Sequence, residues 1–265
     1  MPDEPDPLNP CPTGAGYVRE QVITSVSAVL AQLRARKPRI HAITSAVAGP
    51  LTANGLLALG VTPSLSVDRE DIAEFVASAD GLLLNMGMLD QERRVSLPRA
   101  AQAAKAHGKP VVFDPVFADR SASRRVLALE LLATHPAIVK MNAAEAEAFA
   151  AAIPPHSVCI ITGAQDNIRH GARSITLTNG TPSLAQVTAT GCLLGAILAA
   201  CHAVEADGFM ASIAGVSILN IAAEKAAVDT AGPGSFATGL LDALANLTPA
   251  IIARQIKGDF ANARL

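Results

Sequence analysis

Five segments of the sequence place polar or charged side chains directly after a short apolar run. They are HAITS at 41–45, LNMG at 84–87, VVFDP at 111–115, VKMNAAE at 139–145 and IITGAQD at 160–166. A sixth segment, VTATGC at 187–192, opens a long apolar stretch. Ligands of open α/β sheets bind outside the carboxyl ends of the strands, so these segments are the first candidates for a functional site.

The segment at 187–192 has the small residues of a turn that leads into a helix. Such a turn presents unpaired backbone N–H groups, and the helix dipole adds positive potential, so Thr190 and Gly191 are candidates for an anion hole. Cys192 falls in the first helical turn, where the pKa of a thiol tends to fall. The alternative stays open that a threonine caps the helix and that Cys192 packs in the core.

Asp114 and Glu145 both follow predicted strands. Two carboxylates at neighbouring strand ends could hold Mg²⁺, partly through waters, because this ion keeps much of its hydration and accepts few carboxylates. Each residue also has a simpler interpretation. Glu145 could be a first-turn helix acid with Asn142 as the N-cap, and Asp114 could be a turn residue.

Other familiar sites are not indicated by the sequence. It contains no G-x-S-x-G, G-x-G-x-x-G or G-x-x-x-x-G-K-S/T motif, which argues against an α/β-hydrolase, a dinucleotide enzyme and a P-loop NTPase. The six histidines have no mutual spacing typical of a metal site. His41 ends a predicted strand near the candidate site, and we interpret it as a hydrogen-bonded structural imidazole rather than a catalytic group.

Strand-like and helix-like segments alternate along most of the chain, which predicts an α/β fold with a parallel sheet and helices on both faces. The predicted strands are Arg39–Ile43, Pro63–Val67, Gly81–Leu84, Pro110–Phe113, Ala137–Val139 and Val158–Ile161. Helices are predicted from Tyr17 to Pro38 and over Asp71–Ala79, Pro98–Ala106, Ser123–Ala133, Ala143–Ala151, Gly191–Val204, Phe209–Ala227 and Ser235–Leu247. Ser174–Asn179 followed by Gly180 predicts a hairpin, because Asn-Gly supplies the positive φ of a tight turn.

Composition limits the domain organisation and the class of partner. Residues 1–16 are proline-rich and predicted to be a disordered tail, and residues 17–265 are predicted to form a single domain. The net charge is −2 and aromatic residues make up 3% of the chain, so we expect neither nucleic-acid nor membrane binding. The most apolar stretch, Gly191–Cys201, is too short to span a bilayer. Without a signal peptide and with four unpaired cysteines, a cytoplasmic protein is expected.

Taken in order, these segments resemble the hydroxyethylthiazole kinase family of the ribokinase-like superfamily. The resemblance also rests on TANGLLALG at 52–60, TPSLS at 62–66 and GPGSFATGLLDAL at 232–244, and it runs from about His41 to Leu247. It implies a ribokinase-like fold with a mostly parallel central sheet and helices on both faces. It also implies phosphorylation of the primary alcohol of 4-methyl-5-(2-hydroxyethyl)thiazole, dependent on ATP and Mg²⁺, and a homotrimer with active sites between subunits.

The resemblance further implies roles for single residues. Asp114 and Glu145 would serve the Mg²⁺–phosphate region, and Cys192 stands where the wider superfamily has an aspartate that acts as the base. Lys140 occupies the position of an ATP-contacting arginine, and Thr162 that of an ATP-contacting hydroxyl or small residue. For the substrate, Leu65 replaces a methionine of the thiazole pocket and Ala189 replaces a glycine whose backbone meets the alcohol.

Several positions depart from the family pattern. Ala42 and Ser45 replace two amide side chains, and Phe117 replaces a glycine in the loop after Asp114. A lysine at 140 has a compact ammonium group, whereas the guanidinium of arginine can make two parallel hydrogen bonds. The alternatives that stay open are a kinase of another small alcohol, an ATP- or ADP-dependent dehydratase of hydrated nicotinamide nucleotides, and a non-catalytic relative that binds a thiazole or a nucleotide.

Overall fold

The computed structural model describes residues 17–228 and 230–261, so the tail predicted for residues 1–16 lies outside the described residues. Eight strands form one sheet in the order β2-β1-β3-β4-β5-β6-β7-β8. The strands are β1 Arg39–Ile43, β2 Thr62–Ser64, β3 Gly81–Asn85, β4 Val111–Asp114, β5 Ile138–Asn142, β6 Val158–Thr162, β7 Asp166–His170 and β8 Arg173–Leu177. Strands β1 to β6 pair in parallel, whereas β7 and β8 are antiparallel to their neighbours.

Helices cover both faces of this sheet. They are α1 Arg19–Arg36, α2 Gly49–Ala58, α3 Ile72–Ser78, α4 Gln91–Ala106, α5 Ala122–Leu132, α6 Ala143–Phe149, α7 Thr190–Val204, α8 Gly208–Val228, α9 Pro233–Ala245 and α10 Pro249–Gln255. One buried cluster joins the sheet to α1, α2, α7, α8, α9 and α10, and a second joins it to α3, α4, α5 and α6. The predicted α/β class, with a mostly parallel sheet between two helical layers, is confirmed.

The side chains of β3 show why the strands are apolar throughout. Leu83 points into the first cluster, whereas Leu82 and Leu84 point into the second, so every residue of the strand is buried. Helix α7 lies tightly on this strand. A Cβ atom added to Gly195 would come within 2.8 Å of a Leu83 methyl group, so only glycine lets the helix approach this closely. Close packing fixes the first turn of α7 at the carboxyl ends of the strands.

The predicted Asn179–Gly180 hairpin is wrong. The two hairpins of the sheet instead join β6 to β7 and β7 to β8, and the strand β7 was missed because Ile168 is its single apolar residue. Asn179 turns its amide inward, where Oδ1 accepts from the Lys257 amide N–H at 2.7 Å and Nδ2 donates to Glu224 and the Gln255 carbonyl. The local turn preference is therefore outweighed by buried hydrogen bonds to distant parts of the chain.

The helix predictions hold, with three differences. Helix α4 begins at Gln91 rather than Pro98, because Asp90 caps it by accepting from the Arg93 amide at 2.8 Å, and Pro98 lies inside the helix. Helices α2 and α10 were not predicted. Each has proline in its first turn, which is where proline fits a helix.

Helix α8 is long and apolar enough to cross a membrane by length and composition. The stretch expected to be the most apolar, Gly191–Cys201, lies instead in α7. In the structure 78% of the most apolar window of α8 is buried against the rest of the protein. This burial is typical of the central helix of a globular core.

Candidate functional site

A cavity of about 600 Å³ opens at the carboxyl ends of β5 and β6, beside the first turn of α7. Four of the residues predicted for the site line it: Lys140, Thr162, Thr190 and Gly191. The remaining wall comes from the turn after β6, from the segment after β8 and from α8, and includes Asp166, Leu184 and Asn220. The cavity has the volume of a small-molecule site.

The first turn of α7 has the geometry of an anion site. Ala189 precedes it in the left-handed conformation, with φ 73° and ψ 3°. Thr190 does not cap the helix through its side chain, because its hydroxyl donates to the Leu184 carbonyl at 2.9 Å and so holds the preceding loop. A Cβ atom placed on Gly191 would lie 3.5 Å from the Lys140 ammonium, so a positive side chain and the positive end of the helix meet here.

Lys140 and Asp114 form a buried ion pair. The ammonium lies 3.0 Å from Oδ2 of Asp114, and the two residues are 6% and 1% exposed. Burial raises the pKa of the Asp114 carboxyl, and the Lys140 charge opposes that effect. Burial lowers the pKa of Lys140, but the Asp114 carboxylate outweighs it and the net shift is upward. The proton therefore stays on Lys140, and the site keeps a cation next to the cavity.

Asn85 connects this ion pair to the thiol of Cys192. Its Nδ2 donates to Oδ2 of Asp114 at 2.8 Å and to the Cys192 sulfur at 3.4 Å. Its Oδ1 accepts from the Gly87 amide at 3.0 Å and from the Thr44 hydroxyl at 3.3 Å. The side chain is fully buried and its four hydrogen bonds fix the amide in one orientation.

The expectation of a lowered thiol pKa at Cys192 is wrong. Burial and then the negative charge of Asp114 raise the pKa of this thiol, against opposing effects of Thr44, Lys140 and Asn85. The position in the first turn of α7 is as predicted, and the sulfur of this partly buried residue lies 3.4 Å from Nδ2 of Asn85. The resting thiol is therefore protonated at neutral pH.

Glu145 is held almost entirely by backbone groups. Its Oε2 accepts from the Asn142 amide at 3.0 Å, and the Asn142 side chain accepts from the Glu145 amide at 2.9 Å, which is a capping box. Its Oε1 accepts from the amide of Phe117 at 2.9 Å. Phe117 has φ 58° and a half-exposed ring under the Arg120 guanidinium. The capping interpretation of Glu145 is thus present in the structure, and its metal role stays a prediction.

The surroundings of Asp114 and Glu145 decide how these two carboxylates could bind Mg²⁺. Among residues 17–228 and 230–261, no group of three His, Cys, Asp or Glu side chains could enclose a metal ion. Oδ1 of Asp114 accepts from no donor within these ranges, and each Glu145 oxygen accepts a single N–H, so lone pairs remain. With Lys140 the three residues carry one net negative charge. They fit a hydrated cation that arrives on a phosphate, not a cation held by protein alone.

Asp114, Glu145, Ala189 and Cys192 are not part of the cavity wall, and neither are Leu65 and His41. Leu65 follows β2 and is partly buried, with a methyl group 3.9 Å from the Cβ position of Gly49. His41 lies inside β1, where Nδ1 is 2.7 Å from the Ser64 hydroxyl and Nε2 is 3.0 Å from the Ser66 carbonyl. Burial lowers the pKa of His41 to about 4, against the opposing Ser66 hydrogen bond, so the ring is neutral and structural, as expected.

Sequence reasoning missed three polar residues of the site. Asn85 lies in the LNMG segment, so the rule that pointed to Asp114 could have found it. Asp166 lies in IITGAQD, but nothing marks it as buried. Asn220 lies in the middle of the apolar helix α8, and nothing in the neighbouring sequence indicates that its side chain has a role in a site.

The parallel sheet and the antiparallel strands at one edge, with a candidate anion site at the start of α7, define a ribokinase-like α/β fold. A ribokinase-like superfamily protein from Enterococcus faecalis V583 has the same fold, with a TM-score of 0.59 and 14% sequence identity over 82% of this chain and 89% of that chain.

Closer similarities identify the family. The model of the hydroxyethylthiazole kinase family matches residues 30–154 and 146–250, so the chain belongs to that family. It is 40% identical to a probable hydroxyethylthiazole kinase of Agrobacterium fabrum over 83% of this chain and 89% of the relative. The structure of a hydroxyethylthiazole kinase protein from Pyrococcus horikoshii OT3 superposes with a TM-score of 0.83 and 31% identity, over 90% of this chain and all of that one.

Proposed function

We propose that this protein transfers the γ-phosphoryl group of ATP to the primary alcohol of 4-methyl-5-(2-hydroxyethyl)thiazole, a step of thiamine salvage. The observation that carries the proposal is the buried Lys140 ammonium beside Gly191 at the start of α7, on the wall of the 600 Å³ cavity. Family membership supplies the chemical class, an alcohol phosphotransferase.

Phosphoryl transfer requires alignment and charge stabilisation more than covalent help from the protein. The backbone amides of Thr190, Gly191 and Cys192 at the start of α7 would receive the transferring group as the anion hole. The Lys140 cation would neutralise charge on the same group, and its pairing with Asp114 keeps it in place.

Thr162 would contact the nucleotide from the strand next to that of Lys140. It ends β6, lines the cavity, and its hydroxyl donates to the Met141 carbonyl at 3.2 Å, which leaves its lone pairs free to accept. Mg²⁺, when bound with ATP, would neutralise triphosphate charge. Asp114 and Glu145 would hold its hydration shell.

Cys192 is the candidate base, but its raised pKa leaves a small thiolate fraction at neutral pH. Proton transfer to the thiolate helps the reaction only to the extent that this fraction is populated. Most of the rate is therefore assigned to positioning by the amides and by Lys140, with Asn85 orienting both the thiol and Asp114.

The thiazole would bind between Leu65 and the Ala189 backbone, at sites shared between subunits of a cytoplasmic homotrimer. Two exposed apolar side chains support an interface: Val47, just before α2, and Leu57, in α2, are 57% and 58% exposed. Three free thiols among the described residues, Cys159, Cys192 and Cys201, suit a reducing compartment. Sedimentation equilibrium would give three chain masses for this assembly.

A single assay tests the proposal. ADP release from Mg·ATP is measured with and without the thiazole alcohol, and a phosphate monoester is sought among the products. Stimulation by this alcohol is the expected result. A second candidate, a kinase of another small alcohol, is favoured by the left-handed Ala189 where the family has glycine. Stimulation by a different heterocyclic alcohol but not by the thiazole would select it, and saturable binding without turnover would contradict both.

A further inference from the structure

Asn220 is a polar side chain of the cavity wall that has no role in the reaction described above. Asn220 lies within the apolar helix α8, is 5% exposed and lines the cavity. It follows Leu219, which lines the cavity too. A buried amide costs free energy unless its hydrogen-bonding groups are used, so its partners decide what it can recognise.

The amide of Asn220 is fixed in one orientation by two acceptors. Its Nδ2 donates to Oδ2 of Asp166 at 2.6 Å and to the Asn179 carbonyl at 3.0 Å. A carboxylate and a carbonyl only accept here, so the nitrogen must face them and the oxygen must face away. Within the described ranges no donor contacts Oδ1 of Asn220, which leaves one fixed acceptor at the cavity wall.

Asp166 adds to this arrangement. Its Oδ1 accepts from the Gly163 amide at 3.2 Å, so the carboxylate also ties the turn after β6 to α8. Asp166 and Asn220 therefore offer acceptors, whereas Lys140 and the start of α7 offer donors where phosphate would bind. Leu184 and Leu219 add apolar surface to the wall of the same cavity, as the faces of a flat ring require.

On the basis of the proposed kinase activity, we propose that Asn220 selects the nucleobase: Oδ1 accepts from the exocyclic amine of adenine and rejects a carbonyl oxygen at the same ring position. Adenine carries an amino donor where guanine and hypoxanthine carry an oxygen acceptor. With a carbonyl at this position, two acceptors face each other and the buried Asn220 oxygen has no donor. Asn220 is thus a specificity-determining residue for the phosphoryl donor.

The test compares ATP with inosine triphosphate, which replaces the adenine amine by oxygen. We expect kcat/KM for inosine triphosphate to be about 10- to 100-fold lower, and its affinity in competition with a fluorescent ATP analogue to fall by a similar factor. Asn220→Ala should lower kcat/KM for ATP and bring the two nucleotides within about threefold of each other. The matched control, Leu184→Ala, removes apolar contact and should weaken both nucleotides with their ratio unchanged.

The wild-type comparison does not depend on the folding of any variant. Equal use of ATP and inosine triphosphate would overturn the inference, as would an unchanged ratio in folded Asn220→Ala. A large loss with 2′-deoxy-ATP, together with normal use of inosine triphosphate, would assign the acceptor to the ribose and also overturn it. ATP-selective binding without phosphorylation of the thiazole alcohol would support Asn220 as the selector and refute only the proposed function.

Discussion

Lys140→Met removes the buried cation of the site and keeps a side chain of similar length. Asp114, 1% exposed, then loses its counter-charge and retains only the Asn85 hydrogen bond. Removing one partner of a buried ion pair typically costs about 3–5 kcal/mol of unfolding free energy. Because Asn85 still donates to the carboxylate at 2.8 Å, we expect about 3 kcal/mol. Loss of a charge that stabilises the transferring phosphoryl group should also lower kcat by roughly 10²–10³.

A second substitution separates these two effects. In Lys140→Met with Asp114→Asn neither charge is buried alone, so the unfolding free energy should recover most of the loss, while kcat should not recover. Lys140→Arg is the control that retains the charge. Stability is measured by urea unfolding with far-UV circular dichroism, since the chain has no tryptophan. A loss of less than about 1 kcal/mol of unfolding free energy in the single variant would show that the ion pair contributes little to stability. Recovered activity in the double variant would show that the Lys140 charge is not needed for phosphoryl transfer.

Four further substitutions test single residues. Glu145→Gln should lower kcat by roughly 10²–10³ at saturating Mg²⁺ with the fold retained; an unchanged kcat would reduce Glu145 to a helix cap. Cys192→Ala should lower kcat by at most about 10²-fold, because the backbone amides remain; a wild-type rate would leave the thiol only a packing role. Ala189→Gly should raise kcat/KM for the thiazole alcohol, because φ of 73° is unfavourable for alanine; a lower value would show a pocket built around alanine. His41 is neutral when folded, with its pKa lowered from 6.5 to about 4, so the unfolded chain binds more protons between these values. The His41 contribution to wild-type stability should therefore be complete above pH 6.5 and fall by about 3 kcal/mol towards pH 4, and the His41→Gln profile should differ from the wild-type profile by this amount; parallel profiles would contradict it.

The sheet was accessible to sequence reasoning because β1, β3, β4, β5 and β6 are short apolar runs, as strands buried on both faces must be. Strand β7 was not accessible, since Ile168 is the single apolar residue among its five. The Asn179–Gly180 turn shows the limit of local rules. Its side-chain partners, Glu224 and Gln255, lie 45 and 76 residues further along the chain.

The segments of the candidate site were predictable from position, because strand ends and the start of a helix converge at one edge of a parallel sheet. Thr190 and Gly191 follow from the turn before α7, whereas Lys140 and Thr162 were singled out by the family resemblance; all four line one cavity. Electrostatic properties were not predictable in the same way. The first-turn rule predicts a lowered thiol pKa for Cys192, but its burial and the Asp114 charge depend on packing across the whole sheet.

Transfer of the γ-phosphoryl group of ATP onto the primary alcohol of hydroxyethylthiazole can be followed directly by ³¹P nuclear magnetic resonance of Mg·ATP mixed with this alcohol and the enzyme. We expect the γ-phosphate signal to be replaced by one phosphate monoester signal, coupled to the side-chain methylene protons, with one ADP formed per monoester. Inorganic phosphate as the sole new product, or an unchanged ATP spectrum with a folded enzyme, would contradict the proposed function.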